Sequence, residues 1–596
     1  MTPKILNLLD QLGLKRAWVL DFEFEVDGNA VVPSKVVCLV ALDLLSGEKV
    51  YLGPSQLDAC PFKWDGSELF VAFYAIAEAS CFIKLGWPLP SQWIDAWVEE
   101  VRLLNGSTGN SNSLLDAMRR ARLPVRDGQH KQYMQTLIGE GNWSYEDVPA
   151  ILEYCEEDVL DTAALFEARC NAYLSEAPGG LSASSLGQAI VRGRFAVENA
   201  RMAATGLPID VPNYELLSRN SKAVRQRLVE EVEREHGFAC FEGTTFKRER
   251  FEHYLCARDI SWPRLGSGTL DLKEDTFKQM GERHSQIKPL ADLRRALSVL
   301  KNSKFVVDHD ARARTNLRPY SSKTGRSQPS STAYLFGLPK WMRSLLKPGT
   351  GHAIAYLDYA SQEIAIAAAL SDDAGMLNGY LSGDPYMQFA KDAGLAPPHA
   401  TKESHPTERQ KCKAIVLGVN YGMGPDSLAA RAGITRHEAE ALLTQHQRAY
   451  PNFWKWTKSV QDRGALGLPI YTPYGWRIQL RGGADLNLRS LGNWPVQSTG
   501  SDILRVATIL TSNAGTPPIA TVHDALVFEF HAQEAETSVQ VARHAMIAAA
   551  EAVIGVEVRV DAEIIEYPSI YTDDNGKDFY DMVIRLASEC EAERAA

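Results

Sequence analysis

The chain has 596 residues, which is too long for one ordinary domain and predicts roughly three to five compact units. With 45% hydrophobic and 23% charged residues and no apolar run long enough to cross a bilayer, its composition is globular. The formal net charge of −11 excludes a simple basic nucleic-acid coat, and nine cysteines without a C-x-x-C pair predict reduced thiols inside a cell and argue against structural zinc.

Residues 1 to about 175 have an α/β pattern. Two β-runs, RAWVLDFEFEV and KVVCLVALDLL, precede helical segments such as DVPAILEYCEEDVLDTAALFEARCNAYL. On the first strand, Asp21 and Glu23 are two apart and point to the same face. In the helix, Tyr154 and Asp158 are one turn apart. If these elements converge, their oxygens form a two-metal site in which Tyr154 orients an attacking water.

The middle of the chain is mainly helical. Pro178-Gly179-Gly180 and the Ser-rich LSASSLG mark a boundary, and the helix predicted from NYELLSRNSKAVRQRLVEEVEREHG stops at Gly237. The segment 293–304 and the loop 311–326 carry clustered lysines and arginines. As a cluster they predict contacts to nucleic-acid phosphates, whereas a solvated face remains the alternative for each single cation.

Two strands are followed by a carboxylate. One apolar run leads to Asp358 at the end of a buried strand. Further on, only His523 and Asp524 separate the runs Ile519–Val522 and Ala525–Phe530, which predicts a tight hairpin with a carboxylate at its tip. Each aspartate alone is compatible with a turn or surface role. Side by side in one sheet, the pair would hold divalent cations with the geometry of two-metal phosphoryl transfer.

The stretch RQKCKAIVLGVNYG, residues 409–422, predicts a helix with an unusual face. Arg409, Lys413, Leu417 and Tyr421 follow at every fourth position and share that face. The cations can bind the outer oxygens of a triphosphate, and the apolar and phenolic half can cover a flat base. Gly422 would end the helix where a side chain would crowd a template strand. The alternative is an amphipathic helix whose cations extend along its stem.

Together these stretches resemble motifs A (LDYASQE), B (RQKCKAIVLGVNYG) and C (VHDALVFE) of the family A DNA polymerases, the bacterial DNA polymerase I type. Further similar segments are GLPID at 206–210, TGRSQPSS at 324–331 and RSLGNWPVQSTGSD at 489–502. The resemblance covers most of the chain from about residue 185 onward. It implies an α/β and α+β multidomain fold, in which an RNase H-like 3′–5′ exonuclease domain precedes a right-hand polymerase with thumb, antiparallel palm sheet and helical fingers. The implied domains are exonuclease 1–178, thumb and connecting helices 179–310, first palm part 311–372, fingers 373–483, and second palm part 484–596.

The resemblance also implies a role for each matching position. It assigns Asp358 and Asp524 to two catalytic Mg²⁺ ions, for which Mn²⁺ can substitute. On the nucleotide side, it assigns Arg409 and Lys413 to the triphosphate, Glu363 to exclusion of a ribose 2′-hydroxyl, and Leu417 and Tyr421 to the nucleotide and template base. On the DNA side, it assigns His523 to the primer end, and the minor-groove side to Arg326, Arg489, Asn493 and Gln497. The sequence departs from the family pattern at Leu417, Ala360-Ser361-Gln362, Ala365 and Ala525, which leaves the metal pair intact and puts ordinary base selection in doubt.

The first domain resembles the proofreading exonucleases of the DEDDy type. That resemblance implies two metals held by Asp21, Glu23 and Asp158, with Tyr154 beside them. The middle motif departs from the pattern, because AFYAIAEASCF offers Glu78 as the carboxylate. An active exonuclease is expected, and a degenerate packing domain is the alternative. Asp95 is a secondary acidic candidate, although a helix-start role suits it better.

The expected protein is a template-directed DNA polymerase with a proofreading exonuclease, acting on primer–template DNA and dNTPs. We expect a monomer that has no membrane contact and works in the cytoplasm, in a bacteriophage-infected host. A more specific expectation, prompted by the unusual motif A residues, is a polymerase that prefers 2,6-diaminopurine to adenine. The rival hypotheses are a 3′–5′ nuclease with a polymerase-like DNA-holding module and a non-catalytic DNA-binding scaffold.

Overall fold

The computed structural model describes residues 3–28, 30–63, 65–107, 111–175, 182–302, 304–480, 487–573 and 576–596. The predicted boundary at Pro178-Gly179-Gly180 lies outside these residues, as does the predicted boundary between fingers and second palm part at 483 and 484. Within the described ranges, no helix combines the length and apolarity that crossing a membrane requires.

The first unit is a mixed five-stranded sheet flanked by helices, as the α/β pattern predicts. The strands lie in the order β3-β2-β1-β4-β5, with β1 antiparallel to β2 and parallel to β4. Burial of nearly every residue of β2 and β4 explains why these strands are continuous apolar runs. The strands are β1 Arg16–Glu25, β2 Lys35–Asp43, β3 Lys49–Leu52, β4 Glu68–Ala72 and β5 Trp93–Asp95, and the helices are α1 Pro3–Gln11, α2 Ala75–Lys84, α3 Ala96–Leu104, α4 Leu114–Ala121, α5 Gly128–Gly139 and α6 Val148–Ser175.

The following segment is mainly helical. It contains α7 Ala183–Thr205, α8 Val211–His236, α9 Arg248–Ala257, α10 Glu274–Arg283 and α11 Lys288–Asn302, with the short strands β6 Leu207–Pro208, β7 Phe241–Glu242, β8 Thr245–Phe246 and β9 Arg312–Ala313. Helix α8 ends at Gly237, whose φ of 64° is favourable for glycine, as predicted. Helix α7 packs against α2 and β5, so it joins the first unit to the rest.

The second sheet is antiparallel, with strand order β13-β14-β10-β15, and is the sheet predicted for the palm. Its strands and the surrounding helices are β10 His352–Tyr359, α12 Gln362–Ser371, α13 Ala374–Leu381, α14 Pro385–Asp392, α15 Pro406–Asn420, α16 Pro425–Ala432, α17 Arg436–Ala449, α18 Pro451–Ala465, β11 Ile470–Tyr471, β12 Arg477–Ile478, α19 Leu488–Asn513, β13 Ala520–Val522, β14 Ala525–His531, α20 Ala535–Ile554, β15 Val560–Glu566 and α21 Lys577–Ala595. Short 3-10 helices cover Tyr145–Asp147, Leu335–Gly337, Lys340–Leu345 and Ala532–Glu534.

The last helix, α21, packs mainly against the thumb-like segment. Helix α21 packs along α8, where Val583 and Leu586 share one buried cluster with Val224 and Leu228. Ion pairs join the same two helices, including Arg585 to Glu231. The predicted second palm part therefore ends in a helix that braces the thumb-like segment.

Some predicted cations of the thumb-like segment are engaged within the protein. Arg294 lies over the ring of Phe277 with its guanidinium carbon 3.8 Å from the centroid, and it donates to the carbonyl of Leu272 at 3.2 Å. Arg312 donates to Glu529 at 2.7 Å, and Arg314 pairs with Asp308 and Asp310. These three arginines stabilise the fold, so the predicted phosphate contacts rest on the other cations of the cluster, of which Arg295, Lys301 and Lys304 are exposed.

Candidate active sites

The palm sheet brings the two predicted aspartates together. Asp358 lies within β10 and pairs in register with Ala525, the residue that follows Asp524. His523 and Asp524 form the two-residue turn of the predicted hairpin, and His523 has a φ of 56° that lies in the region favoured in such turns. The hairpin prediction is thus confirmed, except that β13 begins at Ala520 and Asp358 lies inside its strand.

A third carboxylate flanks this pair. On the other side of β10, Asp358 pairs in register with Asp561 of β15, so both side chains lie on one face of the sheet. Burial, followed by the charges of Asp524 and Asp561, raises the pKa of Asp358 to about 7. Its Oδ1 atom is buried and has no hydrogen-bond partner among the described residues. The unpaired oxygen of Asp358 and the neighbouring carboxylate of Asp524 are hard oxygen ligands of the kind that Mg²⁺ or Mn²⁺ prefers.

Helix α15 carries the predicted cationic face. Arg409 and Lys413 flank the ring of Tyr386 on α14, at 5.4 and 5.7 Å from its centroid. Arg409 also pairs with Asp384, whose other oxygen caps α14 by accepting from the Met387 amide at 3.1 Å. The face is therefore organised around an aromatic ring and an acidic residue that sequence reasoning missed.

The end of α15 forms the second half of that face. Tyr421 is 43% exposed, and its hydroxyl donates to Glu363 at 3.2 Å. Burial raises the pKa of Glu363, while Tyr421 and the positive charge of Arg326 act in the opposite direction. Burial lowers the pKa of His523, and Arg326 lowers it further. The charge of Arg326, predicted for the DNA, thus acts on both Glu363 and His523.

Leu417, predicted for the nucleotide face, is half-buried and packs against a buried cluster, which leaves part of its side chain exposed. Gly422 has a φ of 67°, and a Cβ there would lie 3.0 Å from the carbonyl oxygen of Arg489. The side chain that glycine avoids would therefore crowd the backbone of α19 and not only a template strand, which corrects the predicted reason for this glycine.

A pocket of about 300 Å³ adjoins the end of α15. It is lined by Tyr421, Gly422, Arg489, Asn493 and Gln497, among others. Three of the four predicted DNA-binding residues thus meet in one place, and Arg326 lies outside the pocket lining. Both polar side-chain atoms of Asn493 are buried without a partner in the described part of the chain, so they can accept and donate hydrogen bonds to a polar ligand or to water.

The first unit carries a separate acidic site on β1. One ligand atom from each of Asp21, Glu23 and Cys155 lies within 4.8 Å of the others. Burial and the charge of Asp158 raise the pKa of Asp21 to about 8, and burial raises that of Glu23 well above its ordinary value. Asp21 and Glu23 therefore have the proximity and the destabilised charge that favour a divalent ion, and Cys155 is a further donor that sequence reasoning missed.

The other predicted members of this site have different partners. Glu78 is buried and accepts the backbone N–H of Phe22 at 2.8 Å, which holds it against the strand. Asp158 is ion-paired with Lys131 and Arg126 and is not part of the metal-ligand group. Asp158, predicted as a metal ligand, is thus engaged by two cations, and Glu78, offered as the middle-motif carboxylate, is engaged by a backbone amide. No sequence signal marked Lys131 or Arg126.

Tyr154 and Asp95 are the remaining residues predicted for the nuclease site. Burial, followed by the charge of Asp158, raises the pKa of Tyr154, so its hydroxyl stays protonated. Asp95 is buried and caps α3 by accepting from the amides of Trp97 and Val98 at 3.0 and 3.3 Å. The helix-start interpretation of Asp95 is confirmed, and its candidacy as a nuclease ligand is wrong.

An antiparallel sheet with clustered carboxylates, faced by a cationic helix and joined to an α/β unit, defines the right-hand polymerase class of fold. The chain belongs to DNA polymerase family A, whose family profile matches residues 266–567, slightly more than half of its length.

Individual relatives agree with this family. A thermostable DNA polymerase I of Thermus thermophilus is 27% identical over 391 residues, covering 61% of this chain and 46% of the relative. A DNA polymerase of Mycobacterium phage D29 is 28% identical over 233 residues, covering 38% of this chain and 37% of the relative. The chain thus spans about half the length of the first curated relatives it matches.

A solved structure has the same fold. The POL domain of Pol1 from M. smegmatis, in complex with DNA primer-template and dNTP, superposes with a TM-score of 0.67 at 18% identity. The match covers 95% of this chain and 98% of that chain, so it includes the first unit as well as the polymerase part. At this identity the likeness establishes the fold alone.

Proposed function

We propose that the chain is a template-directed DNA polymerase that adds deoxynucleotides to a primer 3′-hydroxyl. The observation that carries the proposal is the register of β10 with β14 and β15, which gathers Asp358, Asp524 and Asp561 at one end of the palm sheet. Family membership and the fold of the DNA-bound Pol1 domain support primer–template DNA and dNTPs as the substrates. Mg²⁺ or Mn²⁺ held by Asp358 and Asp524 would supply Lewis-acid stabilisation of the reacting phosphate.

Other side chains bind and orient the nucleotide and the DNA. Arg409 and Lys413 bind the outer phosphate oxygens and offset their charge, which orients the α-phosphate toward the primer hydroxyl. Glu363, fixed by the hydroxyl of Tyr421, occupies the sugar side of the nucleotide and excludes a 2′-hydroxyl. Arg489, Asn493 and Gln497 line the neighbouring pocket and position the DNA.

Primer extension tests this proposal. The Asp524→Asn variant should lose extension by at least about a thousandfold, because one carboxylate of the pair no longer attracts a cation. Asp275→Asn, in the exposed first turn of α10, is the matched control and should extend like the wild type. Extension by Asp524→Asn at the wild-type rate would refute the assignment and favour a nuclease or scaffold function.

We propose further that the first unit is a 3′–5′ exonuclease that removes mismatched primer ends. The proximity of Asp21, Glu23 and Cys155, with Tyr154 next in sequence to the thiol, supports a metal-assisted hydrolysis there. Wild-type protein should shorten a 3′-mismatched primer in the absence of dNTPs, and Asp21→Asn should not. An intact primer in both reactions would make the unit a packing domain.

A phage replicative role and a preference for diaminopurine extend the proposal. The Mycobacterium phage D29 polymerase among the relatives supports the first. For the second, the proposed signal is the altered motif A segment Ala360-Ser361-Gln362 that leads into α12. Steady-state incorporation opposite T should favour the diaminopurine deoxynucleotide over dATP, and equal efficiencies would refute the preference.

A further inference from the structure

We propose that Lys131 is a resident cation of the nuclease site and takes the place of a second metal ion. The site then binds one divalent ion, at Asp21 and Glu23, while Lys131 and Arg126 hold Asp158. This inference rests on the proposed exonuclease and adds the number of metals it uses and the residue that replaces one of them.

The contacts of Asp158 carry the inference. Lys131 donates to both carboxylate oxygens, at 2.6 and 2.5 Å, and Arg126 donates to the same carboxylate. The side chains of Lys131 and Asp158 are only 16% and 9% exposed. A shielded carboxylate with two cations on it has its charge neutralised, so it has little affinity left for a divalent ion.

These cations are held in place by several elements. Arg126 also pairs with Glu157 and Asp161 on α6, so three acidic residues of one helix fix its guanidinium. Lys131 projects from α5, and its ammonium lies 5.7 Å from the centroid of the Tyr154 ring. The ammonium is therefore inside the site, beside the tyrosine proposed to orient water, and not on the outer surface.

The remaining donors fit a single ion. Among the described residues of the first unit, Asp21, Glu23 and Cys155 are close enough to share a metal, and Glu78 is turned to the Phe22 amide. An ammonium has three N–H donors, and two of them reach Asp158, which leaves one for a non-bridging oxygen of the scissile phosphate. Lys131 would thus neutralise the phosphate charge that a second ion would otherwise neutralise.

Counting bound Mn²⁺ by electron paramagnetic resonance tests the inference. The parent protein carries Asp358→Asn and Asp524→Asn, so that the palm no longer binds the ion. A bound Mn²⁺ is assigned to the nuclease site if it disappears when Asp21→Asn is added to the same protein. The parent should lose one such site when Asp21→Asn is added. The parent with Lys131→Met should lose two, because the place of the ammonium is then open to a second ion beside Asp158, on which Arg126 remains as the one cation named above.

The control is Lys49→Met in the same background, since Lys49 is ion-paired with Glu156 at 2.7 Å and is not part of the ligand group. It should leave the count at one. Two sites in the parent, or one site in both the parent and Lys131→Met, would overturn the inference while the exonuclease proposal stands. No site in the parent would overturn both. If Lys131→Met fails to fold by circular dichroism, Lys131→Gln replaces it in the same comparison.

Discussion

At the scale of single residues, the palm concentrates charge where the fold makes charge unfavourable. Asp358 is partly buried, has an unpartnered oxygen and lies between two other carboxylates, which together raise its pKa to about 7. Such an arrangement stores repulsion that a bound cation relieves. The same repulsion must therefore weaken the metal-free protein.

The first prediction concerns Asp358→Asn in the absence of metal. Aspartate in an unfolded chain has a pKa of about 3.9, whereas Asp358 in the folded protein has a pKa of about 7. Between these two pH values the folded protein therefore keeps a proton that the unfolded chain has lost. The free energy of unfolding of the wild type therefore falls as the pH rises through this window. Asparagine has no such penalty, and the variant should be more stable at about pH 8 by about 1 to 2 kcal/mol, a figure reduced for partial solvent contact.

Urea denaturation in EDTA at about pH 4 and about pH 8 measures this difference. The two proteins should have nearly equal stability at the lower pH, and Mg²⁺ added in excess of EDTA at the higher pH should stabilise the wild type more than the variant, which keeps only the site in the first unit. A difference that stays constant between the two pH values would show that carboxylate repulsion is not its cause.

At the scale of elements, the cationic face depends on how α14 and α15 pack. Asp384 begins α14 and binds Arg409 of α15, while Tyr386 fills the space between Arg409 and Lys413. The arginine that we propose binds the triphosphate is therefore already engaged by an acidic side chain. A nucleotide must compete with that carboxylate for the guanidinium.

The second prediction is that Asp384→Asn lowers KM for the incoming nucleotide by about two- to fivefold with little change in kcat. Asparagine still caps α14, but it no longer competes through charge, and a partly exposed ion pair is worth up to about 1 kcal/mol. Steady-state kinetics at low and high salt measure it, and the gain should shrink as salt screens the pair. Asp392→Asn at the other end of α14 is the control. A higher KM would instead mean that Asp384 orients Arg409 for binding.

The strength of local patterns decided which elements could be predicted. Strand β1, helix α6 and the hairpin at His523 and Asp524 have a clear period or turn length, and the structure confirms them. The contacts of Asp158 could not be predicted in this way. Its cationic partners come from a loop and a short helix that have no periodic relation to it, so only their folded positions reveal the pairing.

At the scale of the whole molecule, buried charges join the first unit to the polymerase part. Glu99 of α3 pairs with Arg102 at 2.7 Å and with Arg192 of α7 at 2.6 Å, and all three side chains are almost fully buried. Arg192 also donates to the carbonyl of Tyr474 at 2.9 Å. A buried network with partners on both sides couples the two parts mechanically, because neither can move away without exposing an unpaired charge.

The third prediction follows from that network. Glu99→Gln leaves two buried guanidinium groups without their anion and should lower the free energy of unfolding by about 3 kcal/mol. The first unit should then unfold before the remainder, so that calorimetry shows two transitions where the wild type shows them merged. Glu48→Gln, which removes an exposed partner of Arg16, should change stability by less than about 1 kcal/mol. A single unshifted transition in Glu99→Gln would show that the network does not couple the parts.

The sequence by itself determined the family motifs, the shared face of Asp21 and Glu23 on one strand and the face of the cationic helix, because spacing along one element fixes which side chains point the same way. Tertiary structure alone decided which of those groups are free to act. Asp561 joins Asp358 through strand register, Asp384 reaches Arg409 across a helix contact, and Lys131 neutralises Asp158 from another element. Such contacts join residues that are distant in the chain, so the periodicity of a single element cannot predict them.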